Sequence, residues 1–444
     1  MRRRRLLAAG VALTGLGVAL LVLLAMGMFD SARRAPVSRG RVPFDVLYRP
    51  RTFVAHGKQA VLRWEIVCPL TKPPEPGFCV PEGTLEVRRS GDSKFDAIPL
   101  TSPRPNLAMA SVPAEYTAGA GFDYYVELHD ERGNVRTVPR AGPAAPQRSW
   151  AIERWTTVDL GRHRFGTARP GDTIVAAAWG AGNGRLGLRR AIGPSAFGVG
   201  PREEIVVLDQ VNRRLAAYKP GNAARPTYVP IRFLGGEGDL AISPAGTVYV
   251  LDAGRPREHV SYIRSYSSRL RPLAETRLAE APADRLQARS AGAMVHVFPS
   301  EQWLPVGRAR RLLGPAEQEA GARPAPTFAG GRQIAVLASP REARFALFRG
   351  GRVTGSWRVR SATRLGEVQL AEPFGEGLLV VIRRYTATRA EWVVLLLTPH
   401  GLVRRFSVKP VEWAGSASRF RLRGASLYAL ESGRLGARIV RYAL

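Results

Sequence analysis

Short runs of alternating apolar and polar residues recur along most of this chain, and each run stops at glycine, proline or another turn former. Ala60–Val67 and Gly83–Arg88 alternate in this way. Lys94–Leu100, Leu107–Val112, Phe122–Leu128 and Val135–Val138 are shorter runs separated by turn residues. A period of two is what a strand with one buried face requires. From residue 156 onward helical periodicity is nearly absent. Strands are expected there at Thr173–Trp179, Glu204–Leu208, Thr247–Leu251, Ala293–Phe298, Gln333–Leu337, Leu378–Ile382, Trp392–Leu397, Ser426–Leu430 and Arg438–Tyr442. The pattern predicts a mainly β protein. A β-sandwich at 43–140 is joined by a linker at 141–155 to a second β domain at 156–444.

One segment breaks the pattern. Arg2–Arg5 are basic, and Leu6–Phe29 holds no charged residue, with Thr14 its one polar member. A helix of that length spans roughly 36 Å, enough to cross a bilayer. The basic flank is retained in the cytoplasm, so residues 1–5 are read as a cytoplasmic tail, 6–29 as a signal-anchor, and 30–42 as an extracytoplasmic linker. The alternative is a cleaved signal peptide, with Ala25–Gly27 as a weak cleavage site. Both readings export the body of the chain. No cysteine follows the apolar run, so lipid attachment there is not expected.

Export gives the cysteines a meaning. The two present, Cys68 and Cys79, flank a proline-rich stretch. In an oxidising compartment such a pair reads as a disulfide closing a short loop.

The end of the first β block carries a resemblance. In Gly121–Asn134 an aromatic-rich strand runs into an acidic turn ending in Gly133 and Asn134, with Pro139 beyond. It resembles the last hairpin of immunoglobulin-like and fibronectin type III domains. The resemblance covers Pro43–Arg140 and implies a spacer or adhesion module with no chemistry of its own.

The second block contains a repeat. Pro194–Asp209 can be laid over Gly238–Asp252, each reading strand, turn, strand and then Leu-Asp. A step of about 43 residues is that of a propeller blade, and the length of the block allows six or seven. Trp179–Leu188, Pro194–Val199 and Ile205–Tyr218 together resemble one NHL-type repeat, with Asp209, Asn212 and Arg213 as the specific element. The resemblance implies a β-propeller, most simply of six blades. The C-terminal runs at Phe420–Arg423, Ser426–Leu430 and Arg438–Tyr442 supply three strands of a blade. Thr156–Leu160 is expected to close it as the fourth and so protect the open edge.

Charge narrows the partners. Lys+Arg number 66 against 36 Asp+Glu, for a net charge of +30. Such a surface attracts anionic lipid or acidic wall polymer. Nucleic acid is not expected, because the chain is exported and its arginine pairs (Arg88–Arg89, Arg189–Arg190, Arg213–Arg214, Arg310–Arg311, Arg383–Arg384, Arg404–Arg405) are scattered.

Candidate chemistry is sparse. Gly182–Gly187 fits a dinucleotide-type glycine pattern, but a helix-breaking segment follows it, so it reads as a loop. No two of the six histidines have metal-ligand spacing. Some NHL-type lyases hold zinc on histidines around the channel, which makes His259 and His296 the candidates for a metal. Asparagine is absent from Ala223 onward, which disfavours a lactonase-type metal site. Gly193–Gly198 has one residue too many for a nucleophile elbow. Pro299–Pro305 and Tyr385 are read as loop and core, or as an aromatic contact patch. No cofactor is expected. The sequence therefore points to a binding or scaffold protein of the bacterial cell envelope, whose propeller face engages a protein or anionic polymer. The alternatives are a metal-dependent lyase or hydrolase in the channel and a wall-associated adhesion protein.

Overall fold

The computed structural model describes residues 44–48, 51–72, 75–77, 82–129, 134–139, 142–144, 146–232, 238–253, 260–279, 283–289, 292–297, 302–306, 327–328, 331–349, 352–408 and 418–444. Leu6–Phe29, Cys79 and His259 lie outside them. Among the described residues no helix is long and apolar enough to cross a membrane.

The first part is a two-sheet sandwich. One sheet is ordered Asp45–Leu47, Ala60–Lys72, Leu107–Val112, Thr101–Arg104, with Glu75–Gly77 paired to Ala60–Lys72. The other is ordered Phe53–Ala55, Gln147–Ile152, Gly121–His129, Glu82–Arg89, Asp96–Pro99, with Val135–Val138 on Gly121–His129. Inward positions of both sheets form one core around Leu62, Trp64, Leu85, Phe122, Tyr124 and Val126. Each such side chain contributes about 1.5–3 kcal/mol on leaving water. Tyr48 stacks on Trp64 at 5.3 Å, and its hydroxyl meets that of Tyr124.

The linker expected at 141–155 is a correction. Gln147–Ile152 is a strand of the sandwich, antiparallel to Gly121–Tyr124 and parallel to Phe53–Ala55. Its alternation is short, but Trp150 and Ile152 are 3% exposed and the strand completes a sheet. Gly121 permits the close approach: at φ +112° a Cβ would stand 2.0 Å from the Ser149 carbonyl oxygen. The hairpin ending at Val138 is therefore not the last of the sandwich.

Among the described residues the second part is a β-propeller of six sheets. Sheet 1 comprises Ala196–Val199, Ile205–Asp209, Arg214–Lys219 and Asn222–Pro230. Sheet 2 comprises Gly238–Ile242, Val248–Asp252, Val260–Tyr266 and Pro272–Ala279. Sheet 3 has Ala283–Arg289, Gly292–Val297 and Gln302–Val306. Sheet 4 holds Thr327–Phe328, Gly331–Ser339, Glu342–Arg349 and Arg352–Arg360, extended by Thr156–Asp159. Sheet 5 comprises Arg364–Phe374, Gly377–Tyr385, Ala390–Thr398 and Gly401–Val408. Sheet 6 comprises Phe420–Arg423, Ser426–Ser432 and Gly436–Ala443, followed by Asp172–Trp179 and Arg185–Leu186. Buried apolar cores join sheets 1 and 2, 2 and 3, 4 and 5, 5 and 6, and 6 and 1. A succession of meanders sharing such cores around one axis is the propeller architecture.

Closure differs from expectation. Asp172–Trp179, not Thr156–Leu160, supplies the outer strand of sheet 6, antiparallel to Gly436–Ala443. Thr156–Asp159 instead runs parallel to Trp357–Arg360 on sheet 4. The chain between them crosses the edge of sheet 5, so residues 156–179 strap three successive sheets together. The longer strand, with Val175 and Ala177 in the core between sheets 6 and 1, forms the more extensive ladder.

The two parts meet through aromatic side chains. Trp150 lies 4.4 Å from Phe348 between ring centroids, and Phe53 meets Trp155 edge-on at 5.4 Å. Phe53, Trp150 and Ile152 of the sandwich share one buried cluster with Ala346 and Phe348 of sheet 4.

Candidate functional site

The strands Ala196–Val199, Gly238–Ile242, Ala283–Arg289, Gly331–Ser339, Arg364–Phe374 and Phe420–Arg423 line the axis of the ring, and charged side chains cross it. Asp239 of sheet 2 is wholly buried. Its carboxylate accepts from Leu286 N at 2.7 Å in sheet 3 and from Arg421 Nη2 at 2.8 Å in sheet 6. Arg421 reaches it past sheet 1, where its Nε donates to the Phe197 carbonyl at 3.0 Å. One ion pair thus ties sheets 6, 1, 2 and 3 together. The side chain of Glu372, on the first strand of sheet 5, has no hydrogen bond among the described residues. Burial pushes its carboxyl up to about 7, opposed by the charge of Arg421.

The strap carries a second polar cluster. Glu391 of sheet 5 accepts from His163 Nε2 at 2.7 Å and from Gly166 N. Arg405 Nη1 donates to the Leu160 carbonyl at 2.8 Å. Arg384 is fully buried and donates to the Gly161 carbonyl and, at 2.8 Å, to Ser361 Oγ. Burial, followed by the neighbouring Arg405, brings its guanidinium down to about 10.

Burial also lowers the pKa of His163, with help from Arg384 and Arg405 and against the pull of Glu391. The folded state therefore binds the proton less well than the unfolded chain, whose histidine titrates near about 6.5. This contribution to stability is complete above that pH and is lost as pH falls through the lower folded value. Melting temperature is expected to drop below about pH 6.5. His163→Gln should flatten that part of the profile in a pH series of thermal melts, while a slope unchanged by the substitution would exclude His163 as its source.

The turn singled out in sheet 1 is structural. Asp209 is wholly buried and accepts from Gly187 N at 2.9 Å, Asn212 Nδ2 at 2.8 Å and Arg214 Nε at 2.9 Å. Arg214, not Arg213, completes the latch, and its other donors reach the carbonyls of Ala181 and Arg185. Sheet 2 lacks the Asn-Arg pair, and there Arg264 bonds the equally buried Asp252 at 3.0 Å. The glycine pattern at Gly182–Gly187 belongs to this loop: Ala178–Trp179 pairs with Arg185–Leu186, and no helix follows.

His296 is nearly buried in sheet 3, with Nδ1 2.6 Å from Asp284 Oδ1. Burial raises the Asp284 pKa, but the bond and charge of His296, with Arg285, more than offset it and leave it lowered. Among the described residues no three His, Cys, Asp or Glu side chains converge for a metal. Within Pro299–Pro305, Gln302–Pro305 belongs to a strand of sheet 3. Tyr385 ends a strand of sheet 5, in register with Ala390. Cys68 lies in a strand whose register places it opposite Gly77, two positions before Cys79.

No known family model matches the chain, and no curated protein matches it. Several solved structures are similar at low identity. A virginiamycin B lyase from Staphylococcus aureus is 8% identical, with 58% of this chain and 97% of that one covered and a TM-score of 0.34. A glucose dehydrogenase is 10% identical over 62% of this chain and all of that one, with a TM-score of 0.37. A hydrazine synthase chain from Kuenenia stuttgartiensis is 13% identical over 60% and 76%, with a TM-score of 0.33. The assignment as a propeller rests on the sheet order and the shared cores described above.

Proposed function

We propose that this protein is a membrane-anchored, extracytoplasmic binding protein of the bacterial cell envelope. In this reading the sandwich is an immunoglobulin- or fibronectin-type spacer, and the propeller, of NHL type, engages a protein or an anionic polymer. The observation that carries it is the net charge of +30 on a chain whose two β parts are joined by a buried aromatic cluster. A rigid joint presents one surface in a fixed direction, and that surface charge selects acidic ligands. The groups around the axis act as ties between sheets, which suits a scaffold.

The test is an affinity capture of the tagged full-length protein from cross-linked membranes. A stoichiometric envelope protein, or wall polymer released by raised salt, is the expected result. A chain recovered alone under low-salt conditions would count against it. Export also predicts a disulfide between Cys68 and Cys79. Peptide mapping without reductant should recover the linked pair, and Cys68→Ser should cost about 3 kcal/mol of stability in denaturant titration. Two alkylatable thiols in the native protein would refute both the bond and the oxidising compartment.

A further inference from the structure

Three turns that are distant in sequence stand side by side on one end of the propeller, at the seam of sheets 6 and 1. They are residues 180–195, 209–214 and 433–436. Hydrogen bonds tie them together. Asn212 Nδ2 donates to the Gly180 carbonyl at 3.0 Å, and Gln210 Nε2 to that of Gly193 at 3.0 Å. Trp179 Nε1 donates to the Gly433 carbonyl at 2.9 Å. The buried Asp209 is their one acidic residue, and its carboxylate is consumed by the latch. Arg185, Arg189, Arg190, Arg213 and Arg434 are exposed there, and none forms an ion pair among the described residues. Between them stand two exposed aliphatic side chains, Ile192 at 53% and Leu435 at 86%.

Both aliphatic groups project from tight turns. Arg189 and Ile192 exchange backbone hydrogen bonds of 2.9 and 3.0 Å, closing a two-residue hairpin. Leu435 sits between Gly433 and Gly436, whose backbones also bond at 2.8 Å. Arg190 and Arg213 hold left-handed backbone, at φ 59° and 52°. Glycine or asparagine would be relaxed at those positions, so the guanidinium is kept where the backbone does not favour it.

We propose that this face is a peripheral membrane-binding surface for anionic lipid headgroups, with Leu435 and Ile192 entering the interfacial layer and the five arginines meeting the phosphates. Charge complementarity and the setting of protruding aliphatic tips among arginines free of ion pairs favour a bilayer, whose interface offers phosphates and an apolar layer together. The proposal goes beyond the scaffold reading and does not depend on the N-terminal segment.

Hydrogen exchange of the full-length protein tests it, because the readout is local. Insertion of residues 6–29 would hold the chain to any vesicle, whereas only this face would be protected by charge. Vesicles rich in phosphatidylglycerol are expected to slow exchange across 180–192 and 433–436, and vesicles of pure phosphatidylcholine are not. Each arginine removed should weaken the protection about fivefold in apparent affinity, and raised salt should abolish it. Arg190→Gly and Arg213→Gly relieve backbone strain, so they keep the fold while lowering binding. Leu435→Asp, at a fully solvated tip, should do the same. Protection equal in both vesicles, or none in either, would overturn the proposal. Protection by soluble polyglutamate but not by vesicles would also overturn it and assign the face to acidic polymers.

Discussion

Asp239→Ala is expected to destabilise the propeller by about 3–5 kcal/mol, the cost of breaking a buried ion pair from one side. The substitution leaves the Arg421 guanidinium to backbone carbonyls and to the Glu372 carboxyl, whose burial disfavours its charged form, and it leaves Leu286 N without its acceptor. The loss should be larger than for Arg421→Met, because Asp239 keeps its bond from Leu286 N when Arg421 is gone. The double variant, with both charges removed, should recover part of the stability. Urea unfolding of the four proteins measures all three differences as a cycle. Additive effects of the two substitutions would show that the cross-axis pair does not couple the sheets.

The propeller ring was legible in its strands before it was legible in its closure. Leu107–Val112 and Val135–Val138 occur in the structure with the bounds the alternation predicts, and each run named in the propeller overlaps an observed strand. Period-two patterning reports on burial of one face, so it survives wherever a strand has one wet side. It fails for Arg352–Arg360 and Arg364–Phe374, where arginine and glutamate occupy outward or axial positions and dilute the apolar signal. Closure depends on pairing between distant segments. Thr156–Asp159 and Asp172–Trp179 both read as strands, and the sheet each one joins follows from the ladder it forms and from the cores that bury Val158, Val175 and Ala177.

The arginine-rich face shows the same limit. Arg189, Arg213 and Arg434 come from separate segments, so they look scattered along the chain. Their grouping follows from the seam of sheets 6 and 1, where the Asp209 latch gathers the loops. The signal available in the sequence was the Asp209–Asn212 element itself. It marks a turn that the fold holds rigidly, but it does not reveal which neighbours that turn supports. His296 likewise carries no local sign that Asp284 will bind its Nδ1.

Phe348→Ala is expected to loosen the joint between sandwich and propeller without disturbing either core. Phe348 is 3% exposed, on the sheet 4 side of the aromatic cluster that holds Trp150, Phe53 and Ile152. Truncating a buried phenylalanine costs about 3–5 kcal/mol at a closed site. Here the penalty falls on the contact between domains, so it should appear as uncoupling. Thermal melts should split into two transitions where the parent gives one. Small-angle scattering should show a larger maximum dimension as the sandwich samples new orientations. Trp150→Ala should produce the same uncoupling plus a loss within the sandwich, because Trp150 also belongs to the strand that completes its second sheet. If the scattering profile of Phe348→Ala matches the parent, the joint is held by hydrogen bonds such as that of Ser356 Oγ to the Arg154 carbonyl. The sandwich would then hold the propeller in a fixed direction through polar contacts rather than through the aromatic cluster.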